Sequence, residues 1–211
     1  MRSPAPLPAA LTLTHGTSFN TKMHSLILAN IAKHVSLTED EKKYFTSLLK
    51  KISVNKKDIL LKEGQICSKF YFVNSGAIRA YYSDKQDKET TIMFGVADWW
   101  ITDMYSFLNQ VPAIMYLDAL EPSEVLELSK ESMDNLYIEV PKFERFFRII
   151  IQHAYIREQV RVIQNLSMSA EERYEIFLKK YPHVAQRVTL KQIASYLGIT
   201  PEFLSTIRAR R

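Results

Sequence analysis

Cysteine is almost absent from this sequence. With Cys67 alone, the chain cannot form an internal disulfide, a cysteine zinc site or a cysteine-ligated iron–sulfur cluster. His24, His34, His153 and His183 are scattered, each without a second ligand three or four positions on, so neither haem nor a metal is expected. Five glycines are few for a phosphate cradle, and no nucleophile motif occurs. Long apolar runs are missing as well: none approaches the roughly 18 residues of a membrane helix. These absences argue against an enzyme, a cofactor and a membrane partner, and they fit a reducing cytoplasm. Cys67 itself follows a turn and reads as inert.

What is present is an ordinary globular composition, 46% hydrophobic and 24% charged in 211 residues, enough for one large domain or two modest ones. The net charge of +5 is unevenly placed. Residues 1–22 carry Arg2 and Lys22 and no acid. Residues 187–211 carry Arg187, Lys191, Arg208, Arg210 and Arg211 against Glu202 alone. The long middle is close to neutral. A basic C-terminus suits a polyanion, although a solvated tail would have the same charge.

Residues 1–22, rich in Pro, Ala, Ser and Thr, read as a disordered segment ahead of a natural start at Met23. Pro6, Pro8, Thr12 and Thr14 break the apolar stretch that a signal peptide would need. Helical spacing follows in Leu26, Ile27, Ile31 and Val35, and again in Tyr44, Phe45, Leu48 and Leu49. Short β-type runs then occupy 58–61, 70–74, 77–82, 90–94, 114–120 and 124–128, separated by turn pairs such as Glu63-Gly64 and Ser75-Gly76. Many short strands at this spacing mean an all-β sandwich or roll. After Pro141 a long helix is expected to about Leu166, apolar in its first half and largely polar in its second. A shorter helix opens on the capping box Ser169-Ala-Glu-Glu172. The domain boundary is placed at Leu166–Ser169.

The most specific stretch is residues 189–210. Thr189 and Gln192 form a capping box. Ile193, Ala194 and Leu197 give the inner face of a short helix, and Gly198 can take the positive φ that ends it. Thr200 caps a second helix with Pro201 at its first position, and Leu204 and Ile207 return to the core. Pro201, Glu202, Ser205, Thr206 and Arg208 are left facing outward. A recognition helix needs this division, with donors and acceptors for base edges on its free side. Arg208, Arg210 and Arg211 lie further along and suit phosphates, as do Thr189 and Lys191. The plain alternative is a helical hairpin whose glycine is only a cap.

From about residue 26 the chain resembles the Crp/Fnr family of bacterial transcription regulators. The resemblance rests on Ile59-Leu-Leu-Lys-Glu-Gly64, on Phe70-Tyr-Phe-Val-Asn-Ser-Gly76-Ala-Ile-Arg79, and on Ile193-Ala-Ser-Tyr-Leu-Gly-Ile-Thr200. Arg173-Tyr174 and Tyr181-Pro182 are similar to a Bacteroidetes-type branch. It implies an α+β fold: an N-terminal helix and cyclic-nucleotide-binding-like β-roll (a jelly roll) over 23–140, a dimerisation helix over 141–166, and a winged-helix-like helix-turn-helix domain over 167–211. Double-stranded DNA, a second copy of the chain and RNA polymerase are the partners it implies. The helix-turn-helix docking geometry belongs to the family, one of whose members is a standard example of it. Phe143, Phe147, Ile150, Ile151 and Ala154 are the expected homodimer interface.

The family's ligand signature does not carry over. Where cyclic-AMP-binding members hold ribose and phosphate, an ungapped reading puts Thr102, Asp103 and Met104, then Ala113 and Ile114. Asp103 keeps a carboxylate, but Ala113 and Ile114 offer a phosphate neither charge nor hydroxyl, and burying an unpaired anion costs several kcal/mol. Glu158 and Gln159 stand at the family's purine contact, where glutamate is a poor partner. Trp99, Trp100, Tyr105, Phe107, Met104 and Met115 make the region aromatic. It either takes an apolar effector of unknown identity or is filled by its own side chains, the usual use of aromatics. The family's Arg-Glu-x-x-x-Arg pattern is here Pro201-Glu202-x-x-x-Thr206, so the operator should differ from the family's. An effector-binding protein without DNA, or an adaptor using the long helix, are the alternatives.

Overall fold

A computed structural model describes residues 23–210; residues 1–22 and Arg211, with the expectations placed on them, lie outside the described residues. The chain opens with α1 (Ser25–Ala32) and α2 (Glu39–Ser47). Thr38 and Glu41 start α2 as a reciprocal cap: the Thr38 amide donates to Glu41 Oε2 at 2.6 Å and the Glu41 amide to Thr38 Oγ1 at 3.2 Å. Glu39, Asp40 and Glu41 in the first turn suit the helix dipole.

Eight strands follow: β1 (Lys50–Val54), β2 (Ile59–Leu61), β3 (Lys69–Ser75), β4 (Ala77–Ser83), β5 (Glu89–Val96), β6 (Trp99–Ile101), β7 (Tyr116–Ala119) and β8 (Ser123–Ser129). They pair antiparallel in two four-stranded sheets of order β1-β8-β3-β6 and β2-β7-β4-β5, the jelly roll expected. The short helix α3 (Met104–Asn109) lies between β6 and β7. The segments 50–54, 99–101 and 104–109 carry no strand or helix in the sequence reading. β1 is exposed at both lysines, so its pattern shows no clean apolar face.

In β3, Phe70 and Phe72 turn to the helices, where Trp100 meets both rings at 5.3 and 5.2 Å. Tyr71 turns to the other sheet and donates its hydroxyl to the Leu60 carbonyl at 3.3 Å. Successive side chains on a strand point to opposite faces, and here both faces are covered. Asn30 of α1 secures the helical side, accepting from Trp100 Nε1 at 3.1 Å and donating to Asp98 Oδ1 at 2.9 Å.

After α4 (Lys130–Glu139) comes α5 (Lys142–Ser167), whose 26 residues span roughly 39 Å at 1.5 Å per residue. Its first half corrects the sequence reading. Phe143 and Phe147, expected at a partner interface, are 0% and 1% exposed. Phe143 stacks on Phe45 at 4.7 Å and Phe147 meets Trp100 at 5.3 Å, because the outer face of the first sheet needs them as its cover. Ile150, Ile151 and Ala154 are half-buried. The exposed apolar side chains lie further on, where a polar surface was expected: Tyr155, Ile156, Val162, Ile163 and Leu166, the last 83% exposed.

The C-terminal part holds α6 (Ala170–Lys180), α7 (Pro182–Ala185), α8 (Leu190–Leu197) and α9 (Pro201–Ala209). It packs on the outer face of the second sheet. Ala77, Phe94 and Leu120 from that face join Phe177, Tyr181 and Leu197 in a second core, while Ile78, Ala80 and Leu117 from the same strands serve the first. Phe94 is fully buried, with Tyr196, Phe177 and Tyr181 at 5.3 to 6.0 Å. Truncation of a buried phenylalanine removes its transfer energy and leaves a cavity, so Phe94→Ala should cost about 3–5 kcal/mol in urea unfolding. Tyr105→Ala, at a side chain 53% exposed, should change stability by less than about 1 kcal/mol.

Candidate nucleic-acid interface

The two C-terminal helices are built from local signals. Thr189 caps α8, accepting from the Gln192 amide at 3.3 Å and donating to Gln192 Oε1 at 3.2 Å. Its own amide donates to the same oxygen at 3.0 Å, so the donors of Thr189 are occupied by the cap. Gly198 ends α8 at φ 69° and ψ 34°, a conformation that costs any other residue. The Ile199 amide closes the turn on the Ala194 carbonyl at 3.0 Å. Thr200 then caps α9, accepting from the Phe203 amide at 3.2 Å, with Pro201 at the first helical position.

Packing decides which face of α9 is free. Leu204 and Ile207 are 0% and 3% exposed, set against Ile193, Ala194 and Leu197 of α8. At about 100° per residue this leaves Glu202, Ser205 and Thr206 opposite the core, and all three are exposed. The Ser205 hydroxyl donates to the Pro201 carbonyl at 3.0 Å and Thr206 Oγ1 to the Glu202 carbonyl at 3.2 Å. Both hydroxyl oxygens therefore keep acceptor capacity, and a rotation frees the donor. Arg208 and Arg210 are exposed at the far end and Lys191 on α8; Arg211 lies outside the described residues. Phe203, 44% exposed beside Glu202, was not singled out by sequence, where a lone aromatic after a cap reads as core.

The pair of helices is also tied to the roll. Ser195 of α8 accepts from the Thr91 amide at 2.7 Å and donates to the Glu89 carbonyl at 3.0 Å. Both are backbone groups of β5, an edge strand of its sheet. The Glu89 carboxylate meanwhile holds Arg79 at 2.7 Å, and Asp118 grips the same guanidinium in two places at 2.9 and 2.7 Å.

The expected effector residues are brought together only in part. Asp103 is fully buried and caps α3: one carboxylate oxygen accepts from the Ser106 amide at 3.1 Å and the other from the Ile114 amide at 3.0 Å. Thr102 Oγ1 donates to the Lys69 carbonyl at 2.9 Å and lies 3.2 Å from Cys67 Sγ. Ala113 is buried and its amide donates to the Gln65 carbonyl at 2.8 Å. Ile114 is exposed and Met104 half-buried. Glu158 and Gln159 serve α5: Glu158 pairs with Arg161 at 2.8 Å, and Gln159 Nε2 donates to the Tyr155 hydroxyl at 3.1 Å. Among the described residues, no group of three or more His, Cys, Asp or Glu side chains could hold a metal, and no helix is long and apolar enough to cross a membrane.

Residues 51–139 match the family model described as "Cyclic nucleotide-binding domain". The anaerobic regulatory protein of Haemophilus influenzae is 24% identical over 189 residues, covering 83% of this chain and 72% of that one. The c-di-GMP-responsive global regulator CLP of Xanthomonas campestris has a similar fold, with a TM-score of 0.68 at 13% identity over 82% of this chain and 91% of its own. A transcriptional regulator of the Crp/Fnr family from Eubacterium rectale gives a TM-score of 0.64 at 17% identity, covering 81% of this chain and 82% of its own.

The turn between α8 and α9 yields a direct check. A Cβ on Gly198 meets no atom within 4 Å, so Gly198→Ala carries only the cost of a left-handed residue. The urea midpoint should fall by the equivalent of about 1–2 kcal/mol.

Proposed function

From the membership of this chain in the Crp/Fnr family of transcription regulators, we propose that it binds duplex DNA as a homodimer, each copy placing α9 in a major groove. The observation that carries this reading is the outward set Glu202, Ser205 and Thr206 on a helix whose other side is fixed by Leu204 and Ile207. Glutamate accepts from a cytosine amine, hydroxyls contact several base edges, and Arg208 and Arg210 follow as phosphate ligands. The family's paired arginines are replaced, so this operator should lack the usual guanine contacts. Two half-sites would lie about one helical turn apart.

The dimer contact assigned to α5 moves from its first half to its second. Ile151, Tyr155, Val162 and Leu166 recur at spacings that keep them on one face of the helix, and the last three are 55% to 83% exposed. An exposed stripe of this kind is stable in water when a second helix covers it. The domain division follows: an effector-type roll over 23–140, the helix over 141–166, and the DNA-binding helices over 167–211.

We further propose that the roll takes no cyclic AMP. Both oxygens of Asp103 are spent on backbone amides, and the buried guanidinium of Arg79 is already shared by Asp118 and Glu89. A phosphate entering the roll would need a new cation there.

Three outcomes test these statements. With a labelled duplex at low salt, Arg208→Ala and Arg210→Ala together should lower the slope of log K against log salt by about 3.6, since each phosphate contact contributes about 0.9 and the homodimer carries each arginine twice. An unchanged slope would remove both arginines from the interface. Sedimentation of the Val162→Asp, Leu166→Asp double variant should give a monomer where the parent is a dimer. Cyclic AMP at 1 mM should leave the melting temperature unchanged, whereas a Kd of about 10 μM would add about 2.7 kcal/mol and raise it by several degrees.

A further inference from the structure

The second half of α5 meets α6 and α8 around a cleft of about 250 Å3. Four cations converge on it: Arg157 and Arg161 from α5, Arg173 and Lys180 from α6. Glu158 is the acid beside them, and it is taken by Arg161 at 2.8 Å. Arg157 lies over the Trp99 ring at 4.8 Å and Arg161 over the Tyr196 ring at 5.3 Å. Each is thus held by an aromatic face with donors to spare.

Two further features suit an anion. Arg173 gives Nη1 to the Met168 carbonyl at 2.7 Å, yet its Nε is buried without a hydrogen-bond partner. A buried, unsatisfied guanidinium nitrogen is costly and calls for an acceptor. The pKa of Lys180 is lowered, by burial first and then by Arg157 and Arg161, the direction that a neighbouring anion would reverse. The rest of the lining is mostly apolar, with Val160 and Ile176 among its side chains.

We propose that this cleft binds a small phosphate ester, its oxyanion held by the guanidinium groups and a single ring lying against Val160 and Ile176. Size limits the ligand: the volume is below the roughly 300–1,000 Å3 of sites that enclose a larger organic molecule. Planar guanidinium forks suit a phosphate, where several charge-assisted bonds act together. At about 100° per residue, Arg157, Arg161 and Gln164 face away from the Tyr155, Val162 and Leu166 stripe, so a homodimer leaves the cleft open. The walls belong to α5 on one side and to α6 and α8 on the other, so a bound ester would clamp the DNA-binding helices to the long helix. Binding itself does not rest on the DNA reading; only this consequence does.

Calorimetric titration of the full chain with phenyl phosphate, inorganic phosphate and phenol tests the site. We expect saturable binding of phenyl phosphate, weaker binding of inorganic phosphate, and none of phenol. Arg161→Gln and Arg173→Gln should each weaken phenyl phosphate at least about tenfold, and Lys43→Gln on α2 should not. If Arg173→Gln lowers the urea midpoint, Lys180→Gln serves in its place. Absence of saturable heat with both anions, or equal affinity in the Arg161→Gln and Lys180→Gln variants, overturns the proposal. So does an outcome in which these variants weaken duplex DNA but leave phenyl phosphate untouched, which would make the cleft a DNA-backbone surface. Failure to bind DNA with intact phenyl phosphate binding would overturn the DNA reading and leave this site standing.

Discussion

The β2-β7-β4-β5 sheet has a core on each side, and the placement of the C-terminal helices follows from that. Its inner side chains, such as Ile78, Ala80 and Leu117, close the roll, while Ala77, Phe94 and Leu120 face outward into a second apolar cluster. An outward face carrying a fully buried phenylalanine must be covered, and the chain covers it with its own C-terminal helices. Burial of one such ring contributes about 1.5–3 kcal/mol. The edge is treated in the same way. Ser195 supplies the donor and acceptor that the exposed backbone of β5 would otherwise turn to solvent or to another strand. The helix-turn-helix is therefore set by the sheet beneath it, and α9 packs on α8 through Leu204 and Ile207.

The long helix divides its length between two tasks. Its first half completes the roll, with Phe143, Phe146 and Phe147 all buried against the first sheet. The remaining half carries apolar side chains on one face and cations on the other, and it also borders α6 and α8. A signal reaching α8 and α9 by this route would pass through α5, whereas the cassette around α3 makes its hydrogen bonds within the roll. In that cassette Asp103 holds backbone, Ser106 bonds the Cys67 amide at 2.8 Å, and Gln110 Nε2 reaches the Cys67 carbonyl at 3.1 Å. Polar groups satisfied within a loop stiffen it.

The helix-turn-helix was legible because its signals are local. A cap at Thr189, a left-handed Gly198 and a cap at Thr200 followed by Pro201 each act within four residues, and their geometry depends little on the rest of the fold. Interfaces were less legible. Periodicity reveals that Phe143 and Phe147 share an apolar face but not whether a sheet of the same chain or a second copy covers it. The apolar stripe on the second half of α5 was masked by Arg157, Glu158, Arg161 and Gln164, which alternate with it along the sequence. Strands β1 and β6 escaped for other reasons: Lys50 and Lys51 hide the first, and Trp99-Trp100 read as pocket lining. Asp103 kept its carboxylate but not the expected task, since capping and ligand binding ask for the same residue type.

The claim on which this account turns is that α9 reads a symmetric duplex, and selection from random double-stranded DNA with the purified chain addresses it most directly. We expect enrichment of a two-fold symmetric site whose half-sites lie about 10 base pairs apart, centre to centre. Enrichment of an asymmetric site would contradict the homodimer. No enrichment at low salt, with or without phenyl phosphate, would contradict the DNA-binding assignment itself.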